Sequence, residues 1–283
     1  VPSVRDLRDR IRSLKNTQQI TKAMKQVAAA KIRRADALQK QSRPYADAIG
    51  AMLRELIANV GSIDHPFMRP GRDGAPGGVI VMTADKGLAG SFNANLIRAA
   101  EQHSRQNANL AWYAVGVKGR NALRRQSAQT LQFWPLGQSD MLTTARELAA
   151  RVSDDFVNGR IGSLTLVSAQ LVNMMTQRPE VRQLLPISKG DEERSTSGAV
   201  EFEPSPEFVL GRLLPKYLEF TLYSAMLETN ASFYAAQLVA MSNATDNAKK
   251  LIDENTVEMN KARQAAITKE ILEIVGGAEA LAG

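Results

Sequence analysis

The sequence predicts a mixed α/β chain: a long antiparallel α-helical coiled coil formed by both termini, with a central open α/β domain of Rossmann-like character between them. Three observations predict it. Residues 1–60 and 205–283 carry apolar or small side chains at alternating steps of three and four. Short apolar runs alternate with helical stretches in the middle. Glycine and proline gather at the joins between these regions. The expected domains are an N-terminal coiled-coil helix over 1–60, an α/β domain over 61–204 and a C-terminal coiled-coil helix over 205–283.

The N-terminal helix is the first element. Pro2 and Ser3 suit its start, Pro44 is the single internal proline, and no glycine precedes Gly50. Val4, Leu7, Ile11 and Leu14 open the stripe, and Thr21, Ala28, Ile32 and Ala35 continue it with smaller side chains that let a partner helix approach closely. Pro44 removes one backbone donor, a cost of about 3 kcal/mol that a helix held by tertiary contacts tolerates.

In the middle, the Pro- and Gly-rich stretch His65 to Gly78 reads as a loop, and Val79-Ile80-Val81-Met82 as a buried parallel strand. A helix is expected from Ser91, as its cap, to about Arg105. Strands at Leu110–Val115, Leu131–Trp134 and Leu164–Val172 alternate with helices near Lys118–Arg125 and Met141–Phe156. The polar stretch Ser188–Gly198 reads as the tip of a hairpin between strands at Val181–Ile187 and Ala199–Glu203.

The C-terminal stripe runs through Leu227, Ala231, Tyr234, Leu238, Met241, Thr245, Ala248, Ile252, Asn255, Met259, Ala262 and Ala266. That is a sustained heptad seam. A helix of roughly 60 residues would extend about 90 Å, more than a compact domain spans. The stripe then drifts to Ile267, Ile271, Ile274, Ala278 and Leu281, so the last turns present a different face and need a contact other than the seam partner.

Composition excludes several chemistries. The 283 residues include no cysteine, and His65 and His103 are the only histidines, which removes zinc fingers, iron–sulfur clusters, thiol catalysis and a disulfide scaffold. The absence of cysteine also argues against an extracellular compartment, and no apolar stretch reaches bilayer-spanning length, so a soluble chain is expected; its start at Val1 fits either simple processing or removal of a longer targeting peptide. The net charge of +7 is uneven. Roughly 13 Lys and Arg face 5 Asp and Glu through Val60, against about 7 and 10 from Ser205 onward, so the basic end is suited to an acidic partner. A nucleic-acid partner is disfavoured, because that stretch has Tyr45 as its one aromatic and no stacking platform.

Catalytic constellations fail. Thr83 to Ser91 lies between a strand and a helix, where α/β folds bind phosphates, but it lacks the dinucleotide and P-loop spacings and reads as a tight glycine turn exposing Lys86. There is no Gly-x-Ser-x-Gly elbow and no His-Glu-x-x-His. His65 reads as a loop residue and His103 as lying on an exposed helical face. No catalytic residue, cofactor or metal is expected.

Several segments together resemble a known family. Asn16-Thr17-Gln18-Gln19-Ile20-Thr21-Lys22-Ala23-Met24, Ser42-Arg43-Pro44-Tyr45, the Thr83–Gly90 loop, Met241 to Asn247, and Asn260-Lys261-Ala262-Arg263-Gln264-Ala265-Ala266-Ile267-Thr268 resemble the gamma-subunit family of F-type ATP synthases. Order and spacing match from near the first residue to Leu281. The resemblance implies a non-catalytic rotor shaft, one copy per complex, that transmits torque between a membrane c-ring and three catalytic beta subunits. Its implied partners are the alpha and beta subunits, epsilon or its mitochondrial equivalents, and the c-ring. The implied location is peripheral, on the inner face of a bacterial plasma membrane or a mitochondrial inner membrane.

The site residues come from this resemblance. Arg263, Gln264 and Thr268 match positions that contact a beta-subunit loop, and Lys22, Lys25 and Lys86, with Lys31 nearby, match the surface facing an acidic beta segment. Met24 matches a position of small neutral contact, where a charge would add a tether. Ile271, Ile274, Ala278 and Leu281 resemble the apolar tip that turns inside the alpha/beta collar. Glu201 and Glu203, with the Asp191–Gly198 loop, resemble the foot facing epsilon and the c-ring. The competing readings are a nucleotide-binding enzyme using the Thr83–Ser91 loop and a coiled-coil binder of DNA or anionic membranes.

Overall fold

The computed structural model describes residues 3–59, 65–107, 109–126, 130–137, 140–187 and 205–282, with the side chains at 43, 46–47, 54–59, 206–207, 277 and 279–282 outside that description. In chain order the elements are α1 (Val4–Asn59), β1 (Gly77–Met82), α2 (Phe92–Gln106), β2 (Leu110–Val115), α3 (Val117–Arg125), β3 (Thr130–Trp134), α4 (Met141–Val157), β4 (Ser163–Asn173), β5 (Thr176–Leu185) and α5 (Pro206–Ala282). Two compact units emerge: residues 1–28 with 238–283, and residues 29–237.

The first unit is a helix pair. Ser3 and Asp6 start α1 with reciprocal bonds: the Asp6 N–H donates to Ser3 Oγ at 3.2 Å and the Ser3 N–H donates to Asp6 Oδ2 at 3.1 Å. This satisfies amides that a helix start leaves free. Burial then follows the heptad. Leu7, Ile11, Thr21 and Ala28 of α1 and Met241, Ala248 and Asn255 of α5 are buried, with Thr245, Ile252, Met259 and Ala262 half-buried between them.

The second unit is built on a five-stranded sheet of order β3-β2-β1-β4-β5. The first four strands are parallel, and β5 is antiparallel to β4. One face buries Val79, Val81, Trp112, Ala114 and Val167 with Ala100 of α2 and Leu123 of α3. The other buries Ile80, Met82, Tyr113, Val115 and Leu166 with Leu148 and Val152 of α4 and Leu214, Leu218 and Leu222 of α5. Burial on both faces explains why β1 reads as an unbroken apolar run. Pro44 and Pro215 both sit inside continuous helix.

Two local expectations change, at Ser91 and His103, and the strand at 181–187 gains a partner that the sequence did not indicate. The strand at 181–187 pairs with β4, in a hairpin whose turn is Met174-Met175, and residues 188–204, including the expected 199–203 strand, lie outside the described residues. The first half of β5, Thr176 to Glu180, is polar because it is an exposed edge, so no apolar run marks it. Ser91 occupies the cap position of α2, but its hydroxyl makes no capping bond and instead accepts from Asn95 Nδ2 at 3.2 Å. His103 is half-buried rather than exposed.

Candidate functional site

The site begins with the geometry of the helix pair. Thr245 Oγ1 donates to Thr21 Oγ1 at 2.9 Å, and Lys25 Nζ donates to Ser242 Oγ at 3.0 Å. As the number rises on α1 it falls on α5, so the pair is antiparallel, with residue numbers summing to about 266. On that register Val4 lies opposite Ala262. Burial on α5 ends there: Ala262 is half-buried and the described side chains from Arg263 to Gly276, together with Ala278, are exposed. Arg263, Gln264 and Thr268 therefore lie on helix with no α1 residue opposite. The one hydrogen bond they are shown to make is local, Thr268 Oγ1 donating to the Gln264 carbonyl at 2.9 Å.

The last turns are apolar and uncovered. Ile267, Ile271, Leu272, Ile274 and Val275 are between 46% and 66% exposed, a contiguous greasy surface of the kind that marks a contact with another molecule. Ala278 is exposed; Leu281 is helical, its side chain outside the described residues. In the same unit Lys22 and Lys25 are exposed, Met24 is half-buried, and no carboxylate pairs with either lysine among the described residues. Lys86 belongs to the second unit and is exposed. Lys31, also there, lies 5.1 Å from the Tyr234 ring centre in a cation–π contact. Glu201 and Glu203 lie outside the described residues.

The Thr83–Ser91 loop is closed by its own groups. Asp85 Oδ1 accepts from the Val117 N–H at 3.0 Å and the Leu136 N–H at 3.1 Å, placing a carboxylate at the start of α3, where an anionic ligand would otherwise bind. Asn93 Oδ1 accepts from the Ala84 N–H at 2.9 Å, and Asn93 Nδ2 donates to the Lys86 carbonyl at 3.1 Å. Thr83 Oγ1 accepts from the Gly119 N–H at 2.7 Å. Gly116 permits this packing: its φ is +90°, and a Cβ there would stand 1.9 Å from the Thr83 carbonyl oxygen.

Open α/β sheets bind ligands where the strand order reverses, here between β1 and β4. That crevice is filled by α5. Phe233 and Ala236 pack with Ala84, Ala89, Phe92, Leu96 and Ala169, the Phe92 and Phe233 ring centres being 6.0 Å apart. Thr229 Oγ1 accepts from the Ala169 N–H at 3.2 Å, and Glu228 Oε1 accepts from the Leu171 N–H at 3.0 Å. Sequence reasoning did not single out these residues. The available signal was Glu228, the one charged side chain between Glu219 and Asp246 of the helix.

A charged cluster stiffens the sheet unit. Asp155 of α4, fully buried, accepts from Tyr113 Oη, Arg151 Nε and an Arg160 guanidinium nitrogen, each at 2.7 Å. Burial pushes its carboxyl up, but the bonds from Tyr113, Arg151 and Arg160 outweigh that and hold it below the usual aspartate range. Burial and then the hydrogen bond to Asp155 push the Tyr113 phenol well above its ordinary value.

Comparison with known proteins gives the family. The family described as ATP synthase matches residues 3–281. The "ATP synthase gamma chain" of Desulforamulus reducens is 46% identical, the match covering 99% of this chain and 99% of that one. The protein of the same description from Heliobacterium modesticaldum is 42% identical, over 99% of this chain and all of its own. Among solved structures, a chain of the Euglena gracilis mitochondrial ATP synthase has a TM-score of 0.71 at 20% identity, covering 98% of this chain and 94% of that one. A chain of the central stalk and c-ring of the Tetrahymena thermophila enzyme has a TM-score of 0.59 at 24% identity, covering 80% of this chain and 99% of that one. With relatives above 40% identity along nearly its whole length, the chain belongs to the ATP synthase gamma-chain family and is a non-catalytic subunit of that complex.

Proposed function

We propose that this chain is the rotor shaft of an F-type ATP synthase, carrying torque between the membrane c-ring and three catalytic beta subunits. The carrying observation is that α5 outruns its partner helix: beyond Ala262 its described side chains are exposed, and its end is apolar with nothing among the described residues to cover it. Such a tip is suited to turning inside a collar, because apolar contact lacks the directional bonds that would hold one angle. One asymmetric rod meets three identical sites differently at any instant, and differential contact is what biases equivalent subunits toward different conformations.

In this reading Arg263, Gln264 and Thr268 make and break polar contacts with a beta-subunit loop, the guanidinium offering a bidentate fork. Lys22, Lys25 and Lys86, with the neutral Met24, face an acidic beta segment. Ile271, Ile274, Ala278 and Leu281 sit in the alpha/beta collar, and Glu201 and Glu203 face epsilon and the c-ring at the foot. The divisions at 60/61 and 204/205 separate shaft from foot. The complex associates with a membrane through the c-ring, with this chain on the inner face; no described helix here is long and apolar enough to cross a bilayer.

The test is rotation. With the catalytic ring immobilised and a probe on this chain, ATP should drive unidirectional turning in three steps per revolution. A complex that hydrolyses ATP while the probe stays still would refute the shaft role.

A further inference from the structure

We propose that Glu228 and Thr229 form the joint through which twisting load on the α/β unit enters the C-terminal helix; this rests on the shaft reading above. The inference starts from a mismatch in strand length. Pairing of β1 with β4 ends at Val81 opposite Val167, because β1 gives way to the Thr83–Ser91 loop after Met82. Strand β4 continues to Asn173.

On its other side β4 pairs with β5, where Ala169 lies opposite Pro179 and Leu171 opposite Gln177. Pro179 has no N–H to give Ala169, and the Ala169 N–H itself donates to Thr229 instead of across to β5, so it points away from that strand. Leu171, two residues on, points the same way. Both amides thus face the side on which the neighbouring strand has stopped.

Helix α5 takes that strand's place. Thr229 and Glu228 accept those two amides at 3.2 and 3.0 Å, and Thr229 and Ala169 are buried. The surrounding contacts of Phe233 and Ala236 are apolar and non-directional, so they resist separation but only weakly resist rolling of the helix about its own axis. The two acceptors are directional and sit on consecutive residues. They fix the angular setting of α5 on the sheet, the degree of freedom a torque-carrying joint must remove. Glu228 and Thr229 are therefore positioning residues for coupling, and the crevice that relatives of this fold class give to a ligand is here given to the chain's own helix.

The test uses the assembled complex. Because the chain has no cysteine, Gln102→Cys supplies its one thiol for a rod-shaped probe on the exposed side of α2. With the catalytic ring arrested by a non-hydrolysable nucleotide, the angular variance of the probe reads the compliance of the joint. Glu228→Leu with Thr229→Val should raise that variance at least twofold and speed hydrogen exchange at the 169 and 171 amides at least tenfold. Glu228→Gln, which keeps a carbonyl acceptor, and Thr229→Ser, which keeps a hydroxyl, should stay near wild type. ATP hydrolysis by the detached head should change less than twofold.

An assembled double variant with unchanged variance would overturn the joint while leaving the shaft role standing. So would unchanged exchange at both amides. Should the double variant fail to assemble, Thr229→Val against Thr229→Ser gives the same comparison with little change in volume. A wild-type complex that hydrolyses ATP without turning would remove the shaft role and the joint together.

Discussion

Replacing Asp155 with alanine removes the acceptor that ties α4 to β2. Tyr113 Oη, on a fully buried residue, would lose its partner, which costs about 1–3 kcal/mol. Arg151 and Arg160 have side chains 38% and 53% exposed, so water replaces much of what they lose and each contributes only about 0–1 kcal/mol. The sum is about 3 kcal/mol, at the low end of the ~3–5 kcal/mol seen when a buried charge pair is broken. For a unit of this size each kcal/mol moves the midpoint by about 2–4 °C, so Tm should fall by roughly 6–12 °C.

The assay is tryptophan fluorescence on heating. Trp112 and Trp134 are the only tryptophans and both are buried in the sheet unit, so the signal reports that unit alone. In a Tyr113→Phe background the same substitution should cost about 1–3 kcal/mol less, because no hydroxyl is left stranded. Since the folded carboxyl titrates below the ~3.9 of an unfolded aspartate, its stabilisation is complete above that value and is lost as pH falls through the folded pKa. Asp155→Ala should therefore flatten the acid limb of stability below about pH 4. A loss under about 1 kcal/mol, or additive costs in the double variant, would refute the reasoning.

Phe233→Ala should cost about 3–5 kcal/mol, measured by denaturant titration, because the side chain is 4% exposed and fills the crevice between β1 and β4 against Phe92. A cost near zero would show that the crevice is not packed. Arg263→Ala with Gln264→Ala should lower ATP turnover of the reconstituted complex while shifting the chain's own stability by no more than about 0.5 kcal/mol, since both residues are exposed. Unchanged turnover would remove them from the mechanism. Calorimetric titration of the purified chain with ATP and magnesium should give only heats of dilution, because the Asp85 carboxylate already takes the Val117 amide at the start of α3 and the Leu136 amide, and Asn93 takes the Ala84 amide. Saturable heat would revive the nucleotide-binding reading.

The seams were legible because they depend on spacing alone. Leu7, Ile11 and Ala28 on one helix and Met241, Ala248 and Asn255 on the other are buried where the heptad puts them. Strands β1 and β2 were legible because both faces of the sheet are covered, which forces continuous apolar runs. The pairing of β5 with β4 was not legible because the first half of β5 is polar and marks no apolar run, and pairing across a hairpin is not written in composition. Arg263, Gln264 and Thr268 came from family resemblance, since an exposed polar residue on a helix carries no chemical mark of its partner.

By itself, the sequence determined the helices and their seam, because periodic burial and short-range backbone preferences are properties of neighbouring residues; the family came from the resemblance of its motifs. Only the tertiary structure decided that the described side chains of α5 are exposed beyond Ala262 and that Glu228, Thr229 and Phe233 fill the crevice a ligand would occupy. Both outcomes depend on register and strand length, which bring together residues such as Ala169 and Thr229 that lie 60 positions apart along the chain.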